Sequence, residues 1–294
     1  MKRRAIVTGL ARNCATYLPE VLANLGRWAA LYGQAYFLFA VSDTHDDSRM
    51  VLEDWLAAGR SGEVLDFGCL GEQLPRRTER IAWLRNACLD RVRALPQGDW
   101  DHLVVADLDD VLAQPIAAQP FAQAIDWLEA SPERAAVFAS AAPRYYDVWA
   151  LRHPRWCPHD CWHRIWGRNA PESFEAAKFR EVFRRQIEIP LAMAPIAVRS
   201  AFGGLAVYRL SWALRSRYRG LDDSSREVSE HVAFNEAIAD AGGTLHIFPA
   251  LRVHAPAQHL YQAQDFKLRW RLRMQALQLA AVVRPPARQL IGVT

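Results

Sequence analysis

No run of about eighteen uncharged apolar residues occurs in the 294-residue chain, so its sequence offers no helix able to cross a bilayer. A secretory leader is also missing: Met1, Lys2, Arg3 and Arg4 run straight into a short apolar stretch at 5–9, and a cytoplasmic protein is expected. Cysteine is sparse and odd in number, with Cys14, Cys69, Cys88, Cys157 and Cys161 scattered along the chain, which argues against a disulfide framework. Basic residues exceed acidic ones by a formal charge of only +4 and form no block, so nucleic acid is not an expected partner. Linkers, internal repeats and low-complexity segments are absent, as is a glycine-rich phosphate loop after the first apolar run, where Gly9, Leu10, Ala11, Arg12 and Asn13 stand. Disorder is excluded by a hydrophobic fraction of 51% against 23% charged residues, in a chain long enough to bury a substantial core.

What is present in the first half is an alternation of short apolar runs with amphipathic stretches, the pattern of an α/β fold with a mainly parallel sheet flanked by helices. Strands are predicted at 5–9, 35–42, 64–67 and 102–106. A helix carries Leu18, Val21, Leu22, Leu25, Trp28 and Tyr32, with Pro19 in its first turn and Gly33 past its end. Further helices are predicted at 47–58 and 78–95, the latter burying Ile81, Leu84, Cys88 and Val92. The second half is less regular. A strand is predicted at 135–140, an aromatic binding loop at 143–171, a hairpin joining 196–199 to 205–208, a helix at 231–241, and strands at 244–254 broken at Pro249. Residues 1–262 are expected to form one domain, followed by a C-terminal basic amphipathic helix and tail at 263–294. In that helix Phe266, Trp270, Met274, Leu277 and Ala281 make an apolar stripe among Lys267, Arg269, Arg271 and Arg273, suited to docking on the domain or to peripheral contact with an anionic membrane.

The strand predicted at 102–106 delivers Asp107, Leu108, Asp109 and Asp110 to its carboxyl end, where open α/β sheets bind ligands. Carboxylates crowded in this way repel one another, and a cation relieves them; oxygen ligands of this kind suit Mg2+ or Mn2+. A solvated acidic turn would look the same in isolation. Cys157, His159, Cys161 and His163 offer zinc-type ligands without a second pair at finger spacing, so buried thiols are the competing reading.

Six segments give the aspartates a context. They are ARNCATYLP from Ala11, RTERIAWLRN from Arg77, VVADLDDV from Val104, YYDVWALR from Tyr145, FGGLAVYR from Phe202 and SEHVAFN from Ser229. In this order over 11–235 they resemble glycosyltransferases of the GT-A fold, and more closely the family of fungal capsule-associated α-1,3-mannosyltransferases and its bacterial relatives. The resemblance implies a Rossmann-like sheet and transfer of a sugar, mannose in the family named, from a GDP- or UDP-sugar to a carbohydrate or lipid-linked acceptor. It places Ala11, Arg12 and Asn13 against the nucleotide, Asp43 at the base or ribose, and Asp107 and Leu108 at the donor. The metal, Mn2+ or Mg2+, falls to Asp107, Asp109 and a strand-end His254, which is otherwise a structural histidine. This chain has Ser42-Asp43-Thr44-His45-Asp46-Asp47-Ser48 where the family carries a Glu-Asn-Asp-Ser-like turn, and Asp46, Asp47 and Ser48 serve equally as a helix cap.

On a helix Arg80 and Arg85 lie about 140° apart, so both do not reach one diphosphate directly. Arg85 is expected at the diphosphate or the acidic cluster, and Arg80 as a second contact or a surface ion pair. Tyr145, Asp147, Trp149 and Arg152 suit an acceptor sugar, or a core segment with buried rings. Gly203 and Gly204 permit close backbone approach, or make an ordinary turn. The resemblance faces Glu230 and His231 toward the reacting carbon, with Glu230 as base in an inverting enzyme or acceptor ligand in a retaining one, the family being retaining; helix capping is the alternative for Glu230. Two other functions remain open: a sugar nucleotidyltransferase, against which the missing glycine-rich loop counts, and a non-enzymatic carbohydrate- or calcium-binding protein.

Overall fold

The computed structural model describes residues 3–95 and 100–262. The helix and tail expected at 263–294 lie outside the described residues. In chain order the elements are β1 (Arg4–Ala11), α1 (Leu18–Ala29), β2 (Gln34–Val41), α2 (Ser48–Ala57), β3 (Gly62–Asp66), α3 (Arg77–Ala94), β4 (His102–Asp107), α4 (Ala118–Glu129), β5 (Arg134–Ala142), α5 (Cys161–Trp166), α6 (Phe174–Glu181), β6 (Ile196–Val198), β7 (Leu205–Arg209), α7 (Leu210–Ala213), α8 (Glu230–Asp240) and β8 (Thr244–His254). The strands form one sheet in the order β3-β2-β1-β4-β7-β5-β8-β6. Its β3-β2-β1-β4 part is parallel throughout, and β5 runs parallel to β8, while β7 and β6 pair antiparallel to their neighbours.

Side chains alternate across each strand, which gives the sheet two apolar faces. On one, Ile6, Leu38 and Val105 meet Leu84, Cys88, Leu89 and Val92 of α3 and Phe234 and Ile238 of α8. On the other, Val7, Phe39 and Val104 meet Leu18, Val21, Leu22, Leu25 and Trp28 of α1, Leu52 and Leu56 of α2, and Phe121 and Ile125 of α4. Trp28 stacks on Phe121 with ring centroids 5.1 Å apart. Fully burying an aliphatic or phenyl side chain of this kind contributes roughly 1.5–3 kcal/mol, so the α/β half is held by many such increments on both faces.

Three expectations are corrected. The segments at 196–199 and 205–208 are not a hairpin: β7 inserts between β4 and β5, and β6 lies at the sheet edge on β8. The reason is visible in β7, whose first four residues are buried on both faces, the signature of a central strand rather than one arm of an edge hairpin. Pro249 does not break the last strand. β8 is continuous, and the irregularity is absorbed as a register shift, with Phe248 paired to Ala139 and Arg252 to Ser140. In α3 Ile81 is only partly buried, while Thr78, Ala82, Arg85 and Leu89 join Leu84, Cys88 and Val92 inside. Helices α4 and α6 were not anticipated; both carry a hydrophobic face interrupted by polar residues.

Candidate active site

The carboxyl ends of β1, β2 and β4 fall on one line, with Ala11 paired to Val41 and Leu10 to Asp107. Above that line opens a cleft of about 1290 Å³. Small-molecule sites usually enclose about 300–1,000 Å³, so the space admits more than one small ligand. Its floor is Leu10, Ala11, Arg12, Asp107, Leu108 and Asp109, and α3 supplies Arg77, Arg80, Ile81 and Arg85.

The chain leaves β1 and β2 through left-handed residues, Asn13 at φ 50° and Asp43 at φ 52°, a region that short polar side chains tolerate best. Asn13 does not line the cleft. Its Oδ1 accepts from His45 N at 2.7 Å and its N–H donates to Thr44 Oγ1 at 3.0 Å, so it fastens the two loops together. Asp46 completes this brace, accepting from Ala15 N and from Ser48 N. Asp43 is likewise engaged, accepting from Gly71 N at 2.8 Å and Ser42 Oγ at 2.7 Å, with Arg80 Nε 3.5 Å away. Burial alone would raise its carboxyl; the two hydrogen bonds and Arg80 bring it below its ordinary range. Arg80 also donates to Leu74 O at 2.7 Å, and thereby faces the cleft from a fixed position.

Arg85 occupies the centre. It is 7% exposed, donates through Nε to Glu230 at 2.9 Å and lies 3.4 Å from Asp107 through Nη2, with its guanidinium over Phe202 and Tyr218. It is thus a partner of the acidic cluster. Glu230 heads α8 without capping it, since the cap is Ser229 and the carboxylate is spent on Arg85. His231 stacks on Phe202 at 3.8 Å, and neither ring nitrogen has a hydrogen-bond partner. Burial, with Arg85 nearby, pushes its pKa well below the usual imidazole value, so it is neutral.

Around Arg85 stand more carboxylates than one guanidinium can balance. Burial and the adjacent Asp109 raise the Asp107 carboxyl well above its ordinary range, and Arg85 offsets this only in part. Asp109 opens to the cleft, where the apolar walls and Asp110 raise it despite a hydrogen bond from Val111 N at 3.2 Å. Asp147 is raised too, by burial and by Glu230, although Gly203 N donates to it at 2.9 Å. Asp110 turns aside to accept from Gln258 Nε2 at 2.9 Å. Like charges held in this way could be relieved by a divalent cation, and Asp107 with Asp109 could supply hard oxygens of the kind Mg2+ or Mn2+ prefers, with further positions left to water and phosphate oxygens. Among the described residues no three His, Cys, Asp or Glu side chains converge as a complete protein cage.

Several other expected residues fall outside the cleft or, like Leu108, have their side chains buried beneath it. His254 ends β8 in register with Ala142 and does not line the cleft; His259, five residues on, does, stacked on Tyr146 at 5.5 Å. Leu108 contributes backbone, because its side chain is buried under Gly9, where a Cβ would sit 2.7 Å away. Tyr145 is a core ring against Trp156, and its neighbour Tyr146 faces the cleft instead. Arg152 is buried in an ion pair with Asp160 at 2.8 Å and braces the loop that presents Trp149. Gly203 and Gly204, at φ 68° and 83°, serve packing: a Cβ would lie 2.6 Å from Ala139 O or 2.5 Å from Val111 Cγ1, and Gly204 O accepts from Asp107 N. Cys157 and Cys161 are buried free thiols, not part of any metal-binding group among the described residues. The residues sequence reasoning missed are His259, Tyr146, Trp162, Trp166, Lys178 and Gln186. Only the four-residue spacing of Trp162 and Trp166 carried a readable signal, placing both on one helical side.

No protein-family model and no curated protein matches the chain. Solved structures do. The mannosyltransferase PcManGT from Pyrobaculum calidifontis, in complex with GDP-Man and Mn2+, matches over 97% of this chain and 76% of its own at 16% identity and a TM-score of 0.53. S. aureus TarS 1-349 in complex with UDP-GlcNAc matches over 97% and 67% at 12% identity and a TM-score of 0.47. Glucosyl-3-phosphoglycerate synthase from Mycobacterium tuberculosis, with Mn2+, UDP and phosphoglyceric acid, matches over 97% and 80% at 14% identity and a TM-score of 0.46. The likeness to the Pyrobaculum enzyme establishes the fold, an α/β single domain of the GT-A type.

Proposed function

We propose that the chain is a metal-dependent glycosyltransferase that moves a sugar from a nucleotide-diphosphate sugar to a carbohydrate or lipid-linked acceptor, in polysaccharide or glycoconjugate synthesis. The observation that carries this reading is the excess of carboxylates, Asp107 and Asp109 at the end of β4 and Asp147 in the loop after β5, in a cleft that also presents Arg12, Arg77 and Arg80. An anionic cluster faced by guanidinium groups suits a ligand pair of opposite sign, a cation bound with a diphosphate.

Asp107 and Asp109 would hold Mn2+ or Mg2+, with His259 the histidine at the cleft in place of His254. The cation would offset the charge of the diphosphate as it leaves. Arg12 and Arg80 approach the donor from the β1 and α3 sides, and Asp43 fixes the direction of Arg80. Arg85 holds Glu230 and Asp107 in place. Glu230 already gives an oxygen to Arg85 at 2.9 Å, which favours a holding role over proton abstraction and therefore a retaining reaction in which the leaving phosphate takes the acceptor proton. Mannose and a GDP donor follow from the resemblance to the capsule-associated mannosyltransferases, and a UDP-sugar is the other donor that fits.

The test is a thermal-shift panel of nucleoside diphosphates and nucleotide sugars with and without Mn2+, followed by a transfer assay on Asp109→Asn. Stabilisation by a diphosphate only when metal is present, and loss of donor hydrolysis in the folded variant, are expected. An unchanged rate in Asp109→Asn, or stabilisation by nucleoside triphosphates alone, overturns the proposal; the second outcome would favour a nucleotidyltransferase.

A further inference from the structure

One wall of the cleft is lined by tryptophans. Trp149, Trp162 and Trp166 follow one another along it: Trp149 and Trp162 are edge to face with centroids 6.4 Å apart, and Trp162 and Trp166 are stacked at 6.2 Å with planes 24° apart. Trp166 is 66% exposed, an unusual placement for so large an apolar surface. The row is rigid. Trp149 Nε1 donates to Asp160, which also caps α5 through Trp162 N and His163 N, and Trp166 rests against Phe174 at 5.2 Å.

Two buried polar atoms of the same cleft have no hydrogen-bond partner. Gln186 is 4% exposed; its Nε2 donates to His259 O at 2.7 Å while its Oε1 has no donor. His163 Nε2 is also without a hydrogen bond, and Lys178 lies over Trp162 at 6.0 Å. An unpaired buried carbonyl carries a desolvation cost that an arriving hydroxyl donor removes. Flat indole faces with hydrogen-bonding groups at their edges match the two sides of a pyranose, its C–H face and its hydroxyl rim. Trp166, stacked on Trp162 and 66% exposed, offers the open indole surface of this row to a sugar ring.

We infer that this wall is a subsite for an oligosaccharide acceptor, with exposed Trp166, backed by Trp162, stacking a sugar residue outward from Trp149 and with Gln186 accepting from a sugar hydroxyl. The assignment rests on the glycosyltransferase reading for its direction, toward the donor, but its binding test stands apart from that reading. A membrane would also accept exposed tryptophans; their position on the wall of a concave cleft favours a glycan chain instead.

The test uses the full chain in isothermal titration calorimetry with mannohexaose, cellohexaose and chitohexaose, each against its monosaccharide. At least one hexaose should bind about tenfold or more tighter than its monosaccharide, and Trp166→Ala should remove most of that difference while Trp166→Phe keeps it. Circular dichroism and thermal midpoints of both variants confirm folding. Three outcomes overturn the inference: no hexaose binds, hexaose and monosaccharide bind alike, or Trp166→Ala binds as the parent does. Loss of sedimentation with phosphatidylglycerol vesicles in Trp166→Ala, with hexaose binding retained, also overturns it. Titration of GDP and UDP with Mn2+ into the same samples reports on the donor reading separately: if neither binds while the hexaose result holds, the donor assignment fails and the glycan subsite stands.

Discussion

At the scale of single residues, charge and burial compete. His246 shows the effect away from the cleft: its ring lies edge-on to Trp127 at 4.8 Å, and burial, helped by Arg134, lowers its pKa to about 4. In the unfolded chain its imidazole titrates near the ordinary value of about 6.5. Between these values the unfolded chain binds a proton that the folded one refuses, so stability falls as pH drops through that window. Thermal midpoints measured from pH 7.5 to 4 should therefore decline less steeply in His246→Gln than in the parent. Equal slopes would show that the ring is protonated inside the fold. Residue-scale function was partly legible. The aspartates after β4 could be found because an apolar strand ends abruptly in acids. His259 could not be preferred to His254, nor Tyr146 to Tyr145, because a shift of one or a few residues reverses which way a side chain points and only the tertiary path fixes it.

At the scale of elements, the parallel half follows its hydrophobic period closely, since each β–α unit is built from neighbours in sequence. The second half escapes that logic at β7, whose partners β4 and β5 are distant in sequence. Gly203 and Gly204 make the insertion feasible. Both adopt left-handed conformations, and the chain passes so close to β5 that a Cβ on Gly203 would stand 2.6 Å from Ala139 O. Gly242 also has a positive φ, 94°, but nothing within 4 Å of its would-be Cβ. The two glycines separate conformational strain from collision. Gly242→Ala should cost on the order of 1–2 kcal/mol, the penalty of a left-handed L-residue. Gly203→Ala should cost clearly more, because β5 backbone must move as well, and it should also disturb Asp147, which accepts from Gly203 N. Urea unfolding of both variants measures the difference; equal costs would mean that the β5–β7 approach relaxes freely.

At the scale of the whole molecule, Arg85 joins what the chain builds separately. It rises from α3 on the first, parallel half, reaches Asp107 at the end of β4, and crosses to Glu230 on α8, 145 residues further along. The sequence showed the Arg-Asn pair on a helix and the acid at the head of another, but not that one buried ion pair spans the two. Breaking such a pair from one side costs about 3–5 kcal/mol, because the remaining charge is left without compensation. That is a large share of the ~5–15 kcal/mol by which a domain is stable. Arg85→Met should therefore destabilise the protein severely, with Glu230, Asp107 and Asp147 left to repel one another. Adding Glu230→Gln removes one of the stranded charges, so the double variant should be more stable than Arg85→Met alone in urea unfolding, even though it has lost one more native side chain. If the second substitution only adds to the loss, Glu230 is not held as an anion by Arg85. The acidic cluster would then be balanced by some other group, and the assignment of Arg85 as the fixed counter-charge of the cleft would fall.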